Sequence, residues 1–214
     1  TFTVGVLAPD LGNDTIISVV RSITGILDRL DRMPLIAESM DDPARTRRLL
    51  ERFRARRVDA LVVLAATEAD RAVLAQAGQS TPLLLAVRKL NDTNFPMVTC
   101  DDVLGASFAA HHLADLGHRR VAQLRGPGQS ATFADRTKGF EMTCAARGLT
   151  IVGDPLIALH ATAAEGRRMV SGLLRHNRAD APTAIFAHND AMAFGAFTAL
   201  REHGLSCPED ISLI

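Results

Sequence analysis

Short apolar runs alternate with segments of helical periodicity along nearly the whole chain of 214 residues. In the runs FTVGVLA (2–8), VDALVVL (58–64) and PLLLAV (82–87) almost every position is apolar, which is typical of strands buried on both faces. The segments between them place apolar residues at three- and four-residue steps, as amphipathic helices do. Strands of this kind separated by helices predict an α/β fold built on parallel sheets.

The alternation breaks once, between Arg88 and Asp102, where the sequence predicts a loop and one short strand near Met97 to Cys100. A parallel strand in the same sheet needs a crossover of about a dozen residues or more, which is usually helical. We therefore expect the chain to leave one sheet here and to begin another. The prediction is two doubly wound parallel-sheet lobes, residues 1–97 and 98–214, with the C-terminal part of the second lobe missing.

The charge balance and the hydropathy of the chain argue against direct binding of nucleic acid and against a membrane span. The chain has 24 basic and 24 acidic residues, whereas a domain that grips nucleic acid by itself carries a basic excess. No apolar run approaches the roughly 18 residues needed to span a bilayer, so no membrane contact is expected. Cys100, Cys144 and Cys207 show no paired spacing, which favours three small buried side chains in a reducing cytoplasm.

Signatures of enzymes are not found in the sequence. Gly126-Pro127-Gly128 begins like a dinucleotide-binding loop, but no third glycine follows in register. There is no Walker loop, no Gly-x-Ser-x-Gly and no Cys-x-x-Cys motif. The three histidines between 111 and 118 lack the spacing of metal ligands. We predict no catalytic residue, no metal and no cofactor, and a protein that is not an enzyme.

Polar residues follow the predicted strands where open α/β sheets bind ligands, beyond the carboxyl ends of the strands. The first sheet offers Asp10 and Arg88, and the second offers Asp101, the loop from Arg125 to Arg136, and the segment His188-Asn189-Asp190. The aspartates could instead cap the helices that follow them. Arg136 is predicted at the start of a helix, where its charge opposes the macrodipole, so we expect a ligand or a carboxylate beside it.

One predicted helix is rich in arginine. Arg45, Arg48, Arg52 and Arg56 fall on one face, opposite Leu49. A nucleic-acid-binding patch is the alternative, but we interpret this face as a solvated surface.

Several motifs together resemble the lactose-repressor (LacI/GalR) family. They are LADLGHRRVAQL (113–124), the GP at 126–127 and RTKGF (136–140), followed by PTAIFAHNDAMAFGAFTAL (182–200) and GLSCPEDISLI (204–214). Upstream, GVLAPDLGN (5–13) and VTCDDVLGA (98–106) are similar to further motifs of the family. The resemblance extends over nearly the whole chain in register.

The resemblance implies a two-lobed core of the periplasmic-binding-protein-like type (type I), with a small-molecule effector in the inter-lobe cleft. It implies a cytoplasmic homodimer that binds operator DNA through a helix-turn-helix headpiece, which this chain does not contain. The expected function is ligand sensing by a transcriptional repressor, with a sugar or sugar derivative as the expected ligand. The alternative is a periplasmic sugar-binding protein of a transporter, which shares the fold.

The family's ligand-binding positions carry over by motif. Arg136 matches the arginine that grips the effector; the other matching positions are Asp10, Asn13, Arg88, Asp101, Asn189 and Asp190. Two aromatic positions differ, because Asn13 is followed by Asp-Thr-Ile and the position of a common stacking aromatic is Ala161. The usual stacking surfaces, each contributing about 0.5–1.5 kcal/mol beyond burial, are therefore not expected here.

Overall fold

The structure is a computed structural model that describes residues 2–153, 155–175 and 181–214. The chain forms two compact units, the first ending at Cys100 and the second beginning at Asp101. The boundary expected from the sequence lay three residues earlier.

Five parallel strands form the sheet of the first unit. Its elements are β1 (Phe2–Ala8), α1 (Asp14–Arg29), β2 (Arg32–Glu38), α2 (Pro43–Ala55), β3 (Ala60–Val63), a 3₁₀ turn (Glu68–Asp70), α3 (Arg71–Gly78), β4 (Leu83–Val87) and β5 (Met97–Thr99). The strand order is β2-β1-β3-β4-β5. Asp42 is the N-cap of α2, since its carboxylate accepts the amide hydrogens of Ala44 and Arg45.

The short strand β5 belongs to the first sheet, where it pairs in parallel with β4. The expectation that the chain starts a second sheet at Met97 is therefore wrong. No helix is needed for this crossover, because the buried Leu90 and the half-buried Phe95 pack on the core from the connecting loop. The amide of Leu85 donates to the carbonyl of Pro96, which fixes the register of this edge strand.

Successive side chains of β1 pack into two separate hydrophobic cores, one on each face of the sheet. Val4, Val6 and Ala8 pack with α1, whereas Leu7 packs with the cluster that contains α2 and α3. This division follows from the two-residue period of a strand with helices on both faces. The first unit is therefore doubly wound, as the apolar runs predict.

The second unit repeats this architecture. Its elements are α4 (Asp102–Asp115), β6 (Arg120–Arg125), α5 (Ala131–Arg147), β7 (Thr150–Ile151), β8 (Leu156–Ile157), α6 (Ala163–Leu173), β9 (Ala184–Ala187), α7 (Asp190–Glu202) and β10 (Ser212–Leu213). The strand order is β10-β9-β6-β7, and β8 also pairs with β6, all in parallel.

Pairs of helices cover the two faces of the second sheet and approach each other at glycines. A Cβ on Gly139 of α5 would lie 2.1 Å from the carbonyl oxygen of Val103 in α4. A Cβ on Gly195 of α7 would lie 1.9 Å from the carbonyl oxygen of Ala163 in α6. Only glycine permits backbone contact of this kind, so these residues set the spacing of both helix pairs.

Two smaller expectations differ from the structure. Helix α5 begins at Ala131, one turn earlier than the predicted start at Asp135, so Arg136 lies in the second turn. The macrodipole is strongest in the first turn and does not account for the role of Arg136. Of the three cysteines, Cys144 is buried, and burial raises the pKa of its thiol to about 11, but Cys100 is exposed.

Candidate functional site

The loops that follow β6 and β9 share the carboxyl edge of the second sheet. Because the two strands are adjacent and parallel, Arg125 and Ala187 end at the same edge. The helices run antiparallel to the strands, so the N-termini of α4, α5 and α7 lie at this edge too. These loops and helix ends build the candidate site.

Arg136 is anchored from two directions at this edge. Its Nε donates to Oδ1 of Asp102 at 2.9 Å, and Nη1 donates to the carbonyl oxygen of His188. The Asp102 side chain is 9% exposed and that of Arg136 is 32% exposed, so part of the guanidinium group remains open to solvent. The expected carboxylate partner is therefore present. Asp102 is this partner, and the neighbouring Asp101 caps α4.

His188 connects the loops after β6 and β9. Its imidazole is buried, with Nδ1 accepting the amide hydrogen of Gly126 at 3.1 Å and Nε2 lying 2.9 Å from the side-chain amide of Gln123. The ring stacks on Phe133 at a centroid distance of 5.8 Å. Burial, and secondarily the charges of Arg136 and Arg125, lower the pKa of His188 to about 3. The imidazole is therefore neutral and holds the loop at Gly126 in place.

Two hydroxyl groups at the start of α5 are buried without a hydrogen-bond partner among the described residues. They are Oγ of Ser130, the N-cap of α5, and Oγ1 of Thr132 in its first turn. Thr132 lies one turn before Arg136, which places both on one side of the helix. Buried polar groups normally have partners, so hydroxyls left open here favour a ligand that supplies the missing hydrogen bonds.

Most of the other predicted site residues of the second unit organise its backbone. Asp101 caps α4 through the amide of Leu104, and Asn189 caps α7 through the amide of Met192. The amide group of Asn189 also donates to the carbonyl oxygen of Ala161 at 3.0 Å, which joins a third loop to the edge. Asp190 is exposed in the first turn of α7.

The predicted residues of the first unit lie at the carboxyl edge of its own sheet. Asp10 accepts the amide hydrogen of Gly12 at 2.7 Å, and Asn13 caps α1 through two backbone amides. Arg88 binds both carboxylate oxygens of Asp41, at 2.5 and 3.1 Å. Because β1 and β3 lie between the strands that carry these partners, this ion pair spans the edge of the sheet.

The backbone beside Arg88 is strained. Val87 has φ +68°, and the amide of Arg88 donates to the carbonyl oxygen of Ala86 at 2.7 Å, which closes a tight three-residue turn. A β-branched residue in this conformation costs about 1–3 kcal/mol. Strain of this size is typical of functional segments, which supports a role for the first edge as well.

Sequence reasoning placed His188, and the loop that contains Ser130 and Thr132, at this edge without assigning them roles, and it missed Gln123. The spacing of Thr132 and Arg136 by one helical turn was a usable signal, whereas the contact between His188 and Gly126 has no signature in the sequence. Among the described residues, no group of three or more histidines, cysteines and acids is arranged to hold a metal ion. None of the helices in those ranges has the length and apolar character needed to cross a membrane.

Known proteins are similar to this chain in sequence and in fold. A family model described as a periplasmic binding protein-like domain matches residues 110–214. The HTH-type transcriptional regulator DegA of Bacillus subtilis is 29% identical over 217 residues, covering 100% of this chain and 64% of its own length. Catabolite control protein A of Priestia megaterium is 26% identical with the same coverage. The chain is similar to these regulators, and its second unit to the periplasmic binding protein-like domain.

Solved structures of transcription regulators share the fold of this chain. The transcription regulator CcpA of Lactococcus lactis superposes with a TM-score of 0.87 at 22% identity, covering 100% of this chain and 77% of the other. A LacI family transcriptional regulator from Mycobacterium smegmatis gives 0.85 at 25% identity, covering 98% and 76%. The chain spans 64% of the length of the first curated relatives.

Proposed function

We propose that this chain is the ligand-sensing and dimerisation core of a LacI-type transcriptional repressor. It binds a small polar metabolite, such as a sugar or sugar derivative, and thereby modulates the binding of operator DNA by a headpiece outside this chain. The protein acts in the cytoplasm as a homodimer and performs no reaction. Curated relatives such as DegA and CytR are named as HTH-type transcriptional regulators or repressors, which favours this function over a transporter's periplasmic sugar-binding protein.

The arrangement around Arg136 is the observation that carries the proposal. A partly open guanidinium group, held rigidly by Asp102 and a backbone carbonyl, lies on the same helix as two buried hydroxyls without partners. Such a set donates and accepts hydrogen bonds but offers little apolar area. Phe133 does not provide a free stacking face, because its ring is already stacked on His188. A ligand rich in hydroxyl or carboxylate groups fits this chemistry.

The ligand acts by binding one conformation of the protein more tightly than another. Only such a difference in affinity shifts the equilibrium between a DNA-binding state and a released state. A coupling free energy of about 1–3 kcal/mol is typical of regulators of this kind. The loops joined by His188, Asn189 and Arg136 are the elements that a bound ligand would fix.

A thermal-shift screen of the full-length protein tests ligand binding. We expect a sugar, polyol or sugar acid present at a hundred times its Kd to add about 2.7 kcal/mol to the free energy of unfolding. The same compound is expected to have no effect on the Arg136→Gln protein, because the open guanidinium group is lost.

Arg201→Gln is the matched control, since it removes an arginine of α7 that stacks over Phe197. It is expected to keep the full ligand-induced shift. A shift that survives in Arg136→Gln would remove this arginine from the site. A screen in which enzymatic turnover of the ligand is observed would contradict the proposal of a sensor.

Dimerisation is proposed through an apolar surface of the first unit. Exposed side chains from the end of α1 and from the α1-facing side of the edge strand β2 contribute to it: Ile26, Leu30 and Ile36. An exposed group of large apolar side chains of this kind is typical of an interaction surface. Two copies of the chain could cover it mutually, as a two-fold dimer requires.

Leu30→Glu is expected to convert the dimer to a monomer, measured by sedimentation velocity of the full-length protein at micromolar concentration. The carboxylate would be buried without a partner, and one such group costs several kcal/mol of association free energy. Leu116→Glu, at a residue of similar exposure in the second unit, is the control and is expected to remain dimeric. A dimer unaffected by Leu30→Glu would place the interface elsewhere.

A further inference from the structure

Positive charge is concentrated on one helix of a chain that is formally neutral. Residues 45–57 contain seven arginines and a single acidic residue, Glu51. The arginines are Arg45, Arg47, Arg48, Arg52, Arg54, Arg56 and Arg57, and we call them the α2 arginine surface. They occupy α2 and the two residues after it.

Within the described ranges, none of these guanidinium groups forms an ion pair, a side-chain hydrogen bond or another electrostatic interaction. Several arginines elsewhere in the chain differ, since Arg88, Arg125 and Arg147 each bind a carboxylate. The helix turns Thr46, Leu50 and Phe53 toward the core. Its remaining surface, about 20 Å long for 13 residues, therefore presents unpaired positive charge.

The stability of the helix does not account for this charge. Arg52 and Arg54 in the last turn complement the negative end of the helix dipole. Arg45 and Arg47 stand near the positive end, where a cation is unfavourable. Arginines four residues apart, such as Arg48 and Arg52, also repel each other. The surface thus lowers stability in isolation, and an anionic partner would relieve the repulsion.

We propose that the α2 arginine surface contacts the sugar-phosphate backbone of duplex DNA without reading its sequence. The inference rests on the proposed function, because a repressor core is held near DNA by its headpiece. Phosphate contacts need only positive charge and hydrogen-bond donors, which arginine supplies in a fork that fits phosphate.

The composition of the surface favours DNA over the other anionic partners. No large apolar side chain of α2 is exposed. A protein interface draws most of its affinity from buried aromatic and aliphatic anchors, and an amphipathic helix binds a membrane through a free apolar face. The apolar face of α2 is occupied by the core of its own unit. DNA, with one charge per about 1.7 Å of helix axis, needs neither feature.

The test measures how salt affects the binding of the full-length protein to a fluorescent random-sequence duplex of about 30 base pairs, between about 50 and 200 mM KCl. The variant carries Arg47→Gln, Arg48→Gln, Arg52→Gln and Arg54→Gln. Glutamine has a similar helix propensity and no charge, so the fold is expected to remain at least as stable. The slope of log K against log salt concentration is negative, and each lost phosphate contact makes it less steep by about 0.9. We therefore expect the slope of the variant to be less steep by roughly 2–4.

A control variant with Arg119, Arg167, Arg168 and Arg201 changed to glutamine has the same net charge and lies in the second unit. It is expected to keep the slope of the unmodified protein. An equal loss of slope in the control would overturn the proposal, since net charge alone would then explain the effect. An unchanged slope in the α2 variant would overturn it as well. Binding of polyglutamate that depends on the α2 arginine surface, with the DNA slope unchanged, would reassign the surface to an acidic protein.

The failure of this proposal is separable from that of the proposed function. A full-length protein that binds no duplex even at the lowest salt would contradict the repressor function and, with it, the α2 contact. A protein that binds duplex DNA and responds to its ligand, but with a slope indifferent to the four substitutions, would contradict the α2 contact alone.

Discussion

Alanine at position 139 is expected to destabilise the second unit by about 3 kcal/mol or more, enough to leave much of the protein unfolded. The added Cβ would lie 2.1 Å from the carbonyl oxygen of Val103 and 2.8 Å from its carbonyl carbon. Those atoms belong to the backbone of α4, so no side-chain rotation relieves the overlap. The helices α4 and α5 would have to separate and open the core around Phe140.

Urea unfolding followed by circular dichroism measures this effect, and Gly105→Ala in α4 is the matched control. Nothing lies within 4 Å of a Cβ built on Gly105, which is an exposed residue of α4, in the same helix pair. Alanine there is expected to add about 0.5–1 kcal/mol through its higher helix propensity. A Gly139→Ala protein as stable as Gly105→Ala would show that α4 and α5 are not in the close contact that the structure describes.

The longer strands and the helices follow from the sequence because their signals are local. The apolar run at residues 2–8 has the same bounds as β1, and Asp42-Pro43 lies at the start of α2. The two-residue strands β7 and β10 are different. Each is so short that only pairing with a neighbour defines it, and pairing is a property of the tertiary structure. The same limit explains β5, whose three exposed residues belong to the first sheet through β4 alone.

The carboxyl edges were predictable from topology, and the roles of single residues were not. Open α/β sheets bind ligands at that edge, so Arg136 and Asn189 could be named in advance. The reason given for Arg136 was wrong, because the helix starts a turn earlier than its apolar pattern suggests. Residues 126–134 include glycines, a proline and small polar residues, which are typical of a loop. The first turn of α5 lies in this segment and shows no helical pattern of apolar residues.

The contacts that join the loops could not be predicted from the sequence, for a physical reason. Gln123 and His188 are polar residues within or beside apolar strand runs. The sequence does not indicate which residue such a side chain will contact. Their contacts cross between segments about 65 positions apart. Buried hydrogen-bond networks of this kind are specified by three-dimensional geometry alone. Whether the named residues bind a ligand stays a prediction, which the Arg136→Gln screen addresses.

Acidification is expected to destabilise the unmodified protein more than a His188→Asn variant. The pKa of His188 is about 3 in the folded state, against an ordinary value of 6.5. Below pH 6.5 the unfolded chain binds a proton at this residue and the folded chain does not. The stability due to the neutral imidazole is therefore complete above pH 6.5 and decreases as the pH falls toward 3. Between pH 7 and pH 5 the expected loss is about 2 kcal/mol.

The comparison of variants isolates this residue from the carboxylates, which titrate alike in all of them. His188→Asn keeps an acceptor for the amide of Gly126 but does not titrate, so its free energy of unfolding is expected to vary less with pH. Phe133→Leu is the matched control, because it removes the stacked ring and leaves the imidazole in place. That protein is expected to be less stable at every pH while it retains the steep dependence. If His188→Asn and the unmodified protein lost stability in parallel from pH 7 to pH 5, the imidazole would take up its proton over the same pH range in the folded and the unfolded state. The loop at Gly126 would then need another anchor.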